Sequence, residues 1–279
     1  MAIGDLTRIN TNIAAFNALN SLRSIGNQLG ISQLRLQTGK RINEAADDPA
    51  GYSIASKLTS RARGLATALD SVGTSMNLLS IAEGAAQSIH DNLLNIQDLI
   101  RQATSSNLGS SERDAIEQQI DDLSAEITRL RDSTTFNGVT LLDGTFTGKR
   151  ILTGAEASDT ILASISQDFS LTDLGITDAS IEVDTTTNAS LSLTYVDAAL
   201  TSVRLEIQNI GSVTSRLRSI SDNLSVAVTN TQAAKSRVLD ADVAAEQVNA
   251  VRLQILQQLA TAQLAQANSG PQSVLALFR

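Results

Sequence analysis

The stretch Ser32-Gln33-Leu34-Arg35-Leu36-Gln37-Thr38-Gly39-Lys40-Arg41-Ile42-Asn43-Glu44-Ala45-Ala46-Asp47-Asp48-Pro49-Ala50-Gly51 reverses the chain, and it holds both a helix stop and a helix start. Gly39 can take the left-handed conformation just past a helix end, and Lys40 and Arg41 suit the negative pole of the dipole there. Asp47 or Asp48 then offers a carboxylate to the free amides of a second helix. Pro49 fits its first turn, where a missing N–H costs nothing.

Outward from this turn the sequence is striped. Leu6, Ile9, Ile13, Phe16, Leu19, Leu22, Ile25 and Leu29 recur at steps of three and four, one side of a helix of about 30 residues. After the turn the same rhythm runs from Leu65 through Val72, Leu79, Ala86, Leu93 and Ile100 to Ala103, predicting a helix roughly 60 Å long. Asn107 to Ser111 interrupts it, and Ile116, Ile120, Leu123, Ile127 and Leu130 predict an antiparallel return.

Between Thr134 and Tyr195 the pattern changes. Phe136-Asn137-Gly138 and Asp143-Gly144 are turn signals, and the runs Lys149 to Thr153, Thr160 to Ile165, Ile181 to Asp184 and Ser190 to Tyr195 predict short strands. A further stripe, Val196, Leu200, Val203, Ile207, Ile210, Val213, Leu217, Ile220, Leu224 and Val228, predicts a long helix ending near Thr231. The last stripe, Val248, Val251, Ile255, Leu259 and Ala262, is flanked by Leu253, Leu256 and Leu264, so its apolar face is wide.

The predicted architecture is mainly α. It is an elongated fold-back of long helices, with a coiled-coil pair of terminal helices, a helical bundle and a small β-hairpin region mid-chain. The 279 residues, 42% hydrophobic, suffice for a buried core. No stretch has the roughly 20 apolar residues of a membrane span, and no cleavable leader is visible. Without cysteine, nothing demands a disulfide. Residues 1–45 carry five basic side chains against two acidic ones and residues 236–279 three of each, so the middle carries −11 and the whole chain −8. An acidic middle excludes a nucleic-acid interface, which needs a basic face.

Two terminal helices alone cannot remove wide apolar faces from water. Both termini are therefore predicted to be disordered in the free chain and to fold on assembly. Head-to-tail burial of such faces between copies, without closure, gives an open helical filament.

Chemistry is sparse. His90 lies on a helix with no second His or Cys to complete a metal site, which points to a solvent-facing or packing role. Nucleophile-elbow, phosphate-loop and zinc-protease motifs do not occur, and Asp121-Asp122, Glu112 and Asp114 read as solvated helix charges. The chain is expected to be no enzyme, with no cofactor and no metal.

Four ordered motifs resemble flagellin, the subunit of the bacterial flagellar filament. They are Ile9-Asn10-Thr11-Asn12; Gly39 with Arg41-Ile42-Asn43 and Ala45-Ala46-Asp47-Asp48-Pro49-Ala50-Gly51; Phe136-Asn137-Gly138; and a C-terminal series. That series comprises Ser236-Arg237-Val238-Leu239-Asp240-Ala241-Asp242, Gln254-Ile255-Leu256-Gln257-Gln258, Leu264-Ala265-Gln266-Ala267-Asn268 and Pro271-Gln272-Ser273-Val274-Leu275.

The resemblance implies a structural subunit of the swimming propeller. Residues 1–45 and 236–279 would form the inner tube as a terminal helical coiled-coil domain. Residues 46–235, with a short β region at about 136–195, would form the outer shell. It implies filament-assembly roles for Ile9, Asn10, Asn12, Arg41, Ile42, Asn43, Asp47, Asp48, Ile255, Leu256, Leu259, Leu264, Leu275 and Leu277.

Implied partners are further copies of the chain, an export chaperone, the flagellar type III export apparatus, and the cap and hook–filament junction proteins, with no membrane. About sixty residues separate the helical halves, so large variable outer domains are absent and the shell should be thin. Where receptor-recognised members carry Arg-Val-Arg-Glu-Leu, this chain reads Asn95-Ile96-Gln97-Asp98-Leu99, and a further family Glu aligns with Gln119. Weak activation of the animal Toll-like flagellin receptor is expected. Ser158 to Ser192 is Ser/Thr-rich enough for sugars, but no site is assigned. The alternative assignments are a hook–filament junction protein and, more remotely, a type III secretion needle or translocator component.

Overall fold

The computed structural model describes residues 11–177 and 180–276, with side chains as far as Ser269. Among the described residues five helices carry the fold: α1 (Ile13–Thr38), α2 (Pro49–Ala103), α3 (Ser110–Ser133), α4 (Thr186–Leu239) and α5 (Val243–Ala276). The short strands β1 (Thr135–Phe136), β2 (Val139–Thr140), β3 (Lys149–Leu152) and β4 (Thr160–Ala163) lie between α3 and α4. The chain divides into two compact units, residues 1–60 with 231–279, and residues 61–230.

In the first unit α1 starts at Asn12, whose side-chain Oδ1 accepts from the Ala15 amide at 3.0 Å. It stops at Gly39, at φ 68°, whose N–H donates to the Arg35 carbonyl at 2.8 Å. α5 packs against α1. Asn12 meets Ala267, Leu29 clusters with Ala250 and Leu253, and Ser32 meets Glu246, so residue numbers rise on one helix as they fall on the other and the pair is antiparallel.

The second unit is a packed bundle. Leu79, Ala82, Ala86, Ile89, Leu93, Ile96 and Ile100 of α2 are almost inaccessible, as are Ile120 and Ile127 of α3 and Val196, Val203, Ile210 and Leu217 of α4. The irregular segment between α3 and α4 belongs to the same core through Leu141, Leu142, Ile165, Phe169, Ile176 and Val183. Two antiparallel pairs decorate it. β1 and β2 join through Asn137-Gly138, both at positive φ (50° and 79°), the backbone a two-residue hairpin turn requires. β3 and β4 pair from Lys149↔Ala163 to Leu152↔Thr160.

Two expected strands are not strands. Ile181 to Asp184 is an irregular segment, and Ser190 to Tyr195 lies inside α4. The run Ser190-Leu191-Ser192-Leu193-Thr194-Tyr195 alternates polar and apolar residues, but Ala189, Ser192, Val196, Ala199 and Val203 are the buried positions. Their spacing of three and four matches a helix. α4 also continues past Thr231 to Leu239. The apolar stripe fades there, but Ala233, Ala234 and Lys235 are good helix formers, and thinning of a stripe is no stop signal. The stop comes at Asp240 to Asp242, where Asp242 Oδ1 accepts from the Ala244 and Ala245 amides and so starts α5.

Candidate assembly surface

Apart from Asn12, the cap of α1, the predicted assembly positions fall into two structural groups, with Ile9, Asn10 and Leu277 outside the described residues and the side chain of Leu275 likewise. The first group builds the joint where the chain leaves α1 for α2 and leaves α4 for α5. The Arg41 and Ile42 amides both donate to the Leu239 carbonyl, at 2.7 and 3.4 Å, and the Ala241 amide donates to the Gly39 carbonyl at 2.9 Å. Arg41 adds a guanidinium hydrogen bond to the Val238 carbonyl at 2.9 Å and lies 3.9 Å from Asp48.

Within the joint the two aspartates have different tasks. Asp47 Oδ2 accepts from the Asn43 and Glu44 amides at 2.9 and 3.2 Å, closing the loop. Asp48 Oδ1 accepts from the Gly51 amide at 2.9 Å, capping α2 behind Pro49. The Asn43 side-chain amide donates to the Lys40 carbonyl. Ile42 fills the centre of the loop and is 2% exposed. The Asn43 and Glu44 amides, aimed at Asp47, hold its carboxyl below the usual carboxylate range.

The second group lies on α5, where the stripe read from the sequence faces outward. Val248, Val251, Ile255 and Leu259 are 44–71% exposed, whereas Ala250, Leu253 and Ala260 are the buried positions and Leu256 and Leu264 are half-buried. α1 is similarly two-sided. It seals Leu29 and Ser32 with help from Ile25 and Leu36, and leaves Ile13, Phe16, Ile31 and Leu34 exposed. The two helices therefore cover one narrow seam and present two large apolar faces. Among the described residues one ion pair crosses the seam, Arg35 and Glu246 at 4.0 Å, with Arg35 Nε and Glu246 Oε1 buried and without hydrogen-bond partners.

Asn95, Leu99 and Gln119 lie in the other unit. Asn95 and Gln119 are exposed on α2 and α3, and Leu99 is half-buried against the core. His90 is half-buried, 3.7 Å from Asp91. Among the described residues no three His, Cys, Asp or Glu side chains gather to hold a metal, and no helix is long and apolar enough to cross a membrane.

Two features had no sequence signal. Arg113, 6% exposed, donates to the carbonyls of Ala103, Ser105 and Val183, tying the end of α2 to the segment before α4. Gln97 is buried and donates to Asp197 of α4. In a linear sequence each is one more polar residue on a helix.

Known proteins resemble this chain at both ends. The profile of the bacterial flagellin N-terminal helical region matches residues 9–147, and that of the C-terminal helical region matches residues 193–278. The flagellin of Halalkalibacterium halodurans is 33% identical over 271 residues, covering 97% of this chain and 99% of that one. The chain belongs to the bacterial flagellin family. The flagellin of Bacillus subtilis is 35% identical over 306 residues, covering 98% of this flagellin and 100% of its relative. The crystal structure of Bacillus cereus flagellin, 25% identical, aligns with a TM-score of 0.48 over 58% of this chain and 93% of that one.

Proposed function

We propose that this flagellin is the structural subunit of a bacterial flagellar filament, and that it polymerises by burying the outward faces of α1 and α5 against the same helices of neighbouring copies. The observation that carries this is the exposure of Val248, Val251, Ile255 and Leu259 on α5 together with Ile13, Phe16, Ile31 and Leu34 on α1. Half-exposed side chains of this size each bring roughly 1 kcal/mol when covered. A monomeric soluble protein rarely leaves so continuous an apolar surface unpartnered. Packed head to tail without closure, these faces propagate a fibre.

In this reading residues 1–45 and 236–279 build the inner tube and residues 46–235 the outer shell, joined at the Gly39–Gly51 turn. The subunit acts outside the cell. It leaves through the flagellar type III export apparatus, with an export chaperone covering the apolar face of α5, and it adds to the fibre among cap and hook–filament junction proteins. No catalytic step is assigned to it. Exposed Asn95 and Gln119 remove the charges that the animal Toll-like receptor grips in other members, so this flagellin activates that receptor weakly. A reporter-cell response equal to that of an Arg-bearing flagellin overturns that part alone.

The test of the main reading is seeded growth followed by electron microscopy. The full chain elongates filament fragments into long fibres, whereas chains lacking either α1 or α5 do not. Long fibres from either truncated chain overturn the reading.

A further inference from the structure

The bundle unit carries a second pair of surfaces that fit each other. Between α2 and the two hairpins lies a cleft of about 310 Å³ with an apolar lining that includes Leu79, Phe136, Val139 and Ile151. Lys149 and Arg150 stand in its wall, both exposed. Lys149 Nζ rests 5.8 Å from the Phe146 ring centroid, and Arg150 makes only long contacts of 3.3 and 3.4 Å to Thr160 Oγ1. Neither cation has a carboxylate partner among the described residues.

The opposite chemistry stands at the start of α4. Asn188 donates from one side-chain amide to Glu182 Oε2 and Asp184 Oδ1, at 3.2 and 2.8 Å. Leu191 and Tyr195 follow Asn188 at i+3 and i+7, which places them on the same helix face beside these carboxylates. They are 55% and 46% exposed. Glu117 of α3 joins the patch. Its carboxyl is pushed up by burial first and then by the charges of Asp121, Asp114, Asp184 and Glu182.

We infer that the cationic cleft of one copy receives the acidic Leu191/Tyr195 face of α4 from the next copy, a second, bundle-to-bundle contact in the fibre. An apolar pair beside carboxylates meets an apolar cleft beside cations, so both the burial and the charges favour the match. The two surfaces cannot satisfy each other within one chain. The cleft adjoins Leu79 of α2, whereas Arg113 ties the carbonyl of Val183, next to Glu182 and Asp184, to that of Ala103 at the far end of the helix. At 1.5 Å per residue the two sites lie about 36 Å apart along α2. Two different patches on one unit make a heterologous contact, which propagates rather than closes. The contact sets the register of one bundle on the next and makes elongation salt-sensitive.

The inference rests on the filament reading, and charge reversal separates the two. Full-length K149E/R150E and E182K/D184K each raise the critical concentration for seeded growth about tenfold, and the quadruple variant, with the charges exchanged, returns it to within about threefold of the unaltered protein. Far-ultraviolet circular dichroism and melting on the monomers check folding, and the milder pair R150Q and D184N, with the same direction of effect, replaces any variant that does not fold. Charge variants that elongate like the unaltered protein, or a quadruple variant no better than either double, overturn the contact while leaving filament formation standing. If the unaltered chain forms no fibre from seeds, the filament reading fails and this contact with it.

Discussion

Arg41 donates a guanidinium hydrogen bond to the carbonyl of Val238, 197 positions further along the chain. That bond joins the end of the α1 turn to the last turn of α4, so the two points where the chain passes between its terminal helices and the rest are one structure. Removing the side chain exposes this dependence. Arg41→Ala loses one charge-assisted hydrogen bond at a half-exposed site and lowers stability by about 1 kcal/mol, read as a shift in the urea midpoint with an unchanged slope. Arg41→Lys recovers little of it, because an ammonium cannot reproduce the planar donor geometry.

Ile42 and Gly51 form the tightest spot in the joint. A Cβ on Gly51 would stand 2.6 Å from Ile42 Cδ1 and also collide with the carboxylate of Asp48. Gly51→Ala is therefore destabilising although Gly51 lies in a helix, where alanine is ordinarily the better residue. Ile42→Ala removes a 2%-exposed side chain and costs about 2–4 kcal/mol. The double variant costs less than the sum, because the smaller side chain makes room for the new methyl. Thermal melts of the four proteins check this.

The acid dependence of the joint follows from Asp47. Its carboxyl is lowered from 3.8 by the amides of Asn43 and Glu44, so the folded form binds the proton less readily than the unfolded one. The resulting stabilisation is full above the unfolded value and is lost as pH falls through the folded value. Asp47→Asn should lower stability at pH 7, where the Asn43 and Glu44 amides lose the charge they face, and the deficit should shrink below about pH 4. Glu117 has the opposite sign. Its raised pKa means that stability falls as pH rises above about 4.5, and Glu117→Gln should stabilise the bundle modestly at pH 7 with no gain in acid. Melting curves from pH 3 to 8 on both variants measure the two trends.

Ile255→Asp and Leu259→Asp place charge on the outward face of α5 without touching Leu253 or Ala260. Each should stop elongation from filament seeds while moving the melting temperature of the monomer by less than about 2 °C. Leu253→Asp, buried in the seam, should lower the monomer's stability instead.

Hydrogen exchange separates the helices before assembly. The seam between α1 and α5 centres on Leu29, Ala250 and Leu253, against a core that runs the length of the bundle. Amides of α1 and α5 should exchange within seconds in the dilute monomer, while those from Leu79 to Ile100 of α2 stay protected for hours, and filaments should protect both sets. Protected α1 and α5 amides in dilute monomer would contradict the expected folding on assembly.

Much of this fold is written in spacing. The stripes of α1 to α5, the stop at Gly39, the start at Pro49 and the Asn137-Gly138 turn can be read without coordinates, because each reflects a local rule of helix or turn geometry. What could not be read depends on distant partners. Ser190 to Tyr195 alternates like a strand, and only the core against which Ser192 and Val196 pack makes it helical. On α5 the spacing of Val248, Val251, Ile255 and Leu259 marks an apolar face but is silent on which neighbour covers it, and among the described residues none does. Which of Asp47 and Asp48 caps α2 was likewise undecidable, since adjacent carboxylates offer the same chemistry until the loop closes around one of them.

The β3–β4 hairpin is where this chain can grow. Thr153 and Asp159 close its tip through an amide-to-carbonyl bond of 2.8 Å, and the Ala155 carbonyl oxygen stands only 3.0 Å from where a Cβ on Gly64 would lie, so the near half of the tip is clamped; the Asp159 amide also donates to the Glu156 carbonyl at 3.0 Å, which leaves Ala157 exposed at the apex. Doubling such a loop costs only about 0.6 kcal/mol in closure entropy. A peptide grafted between Glu156 and Ser158 would be repeated at every subunit, turning the fibre into a regular scaffold for epitopes or enzymes whose spacing is set by the lattice rather than by the graft.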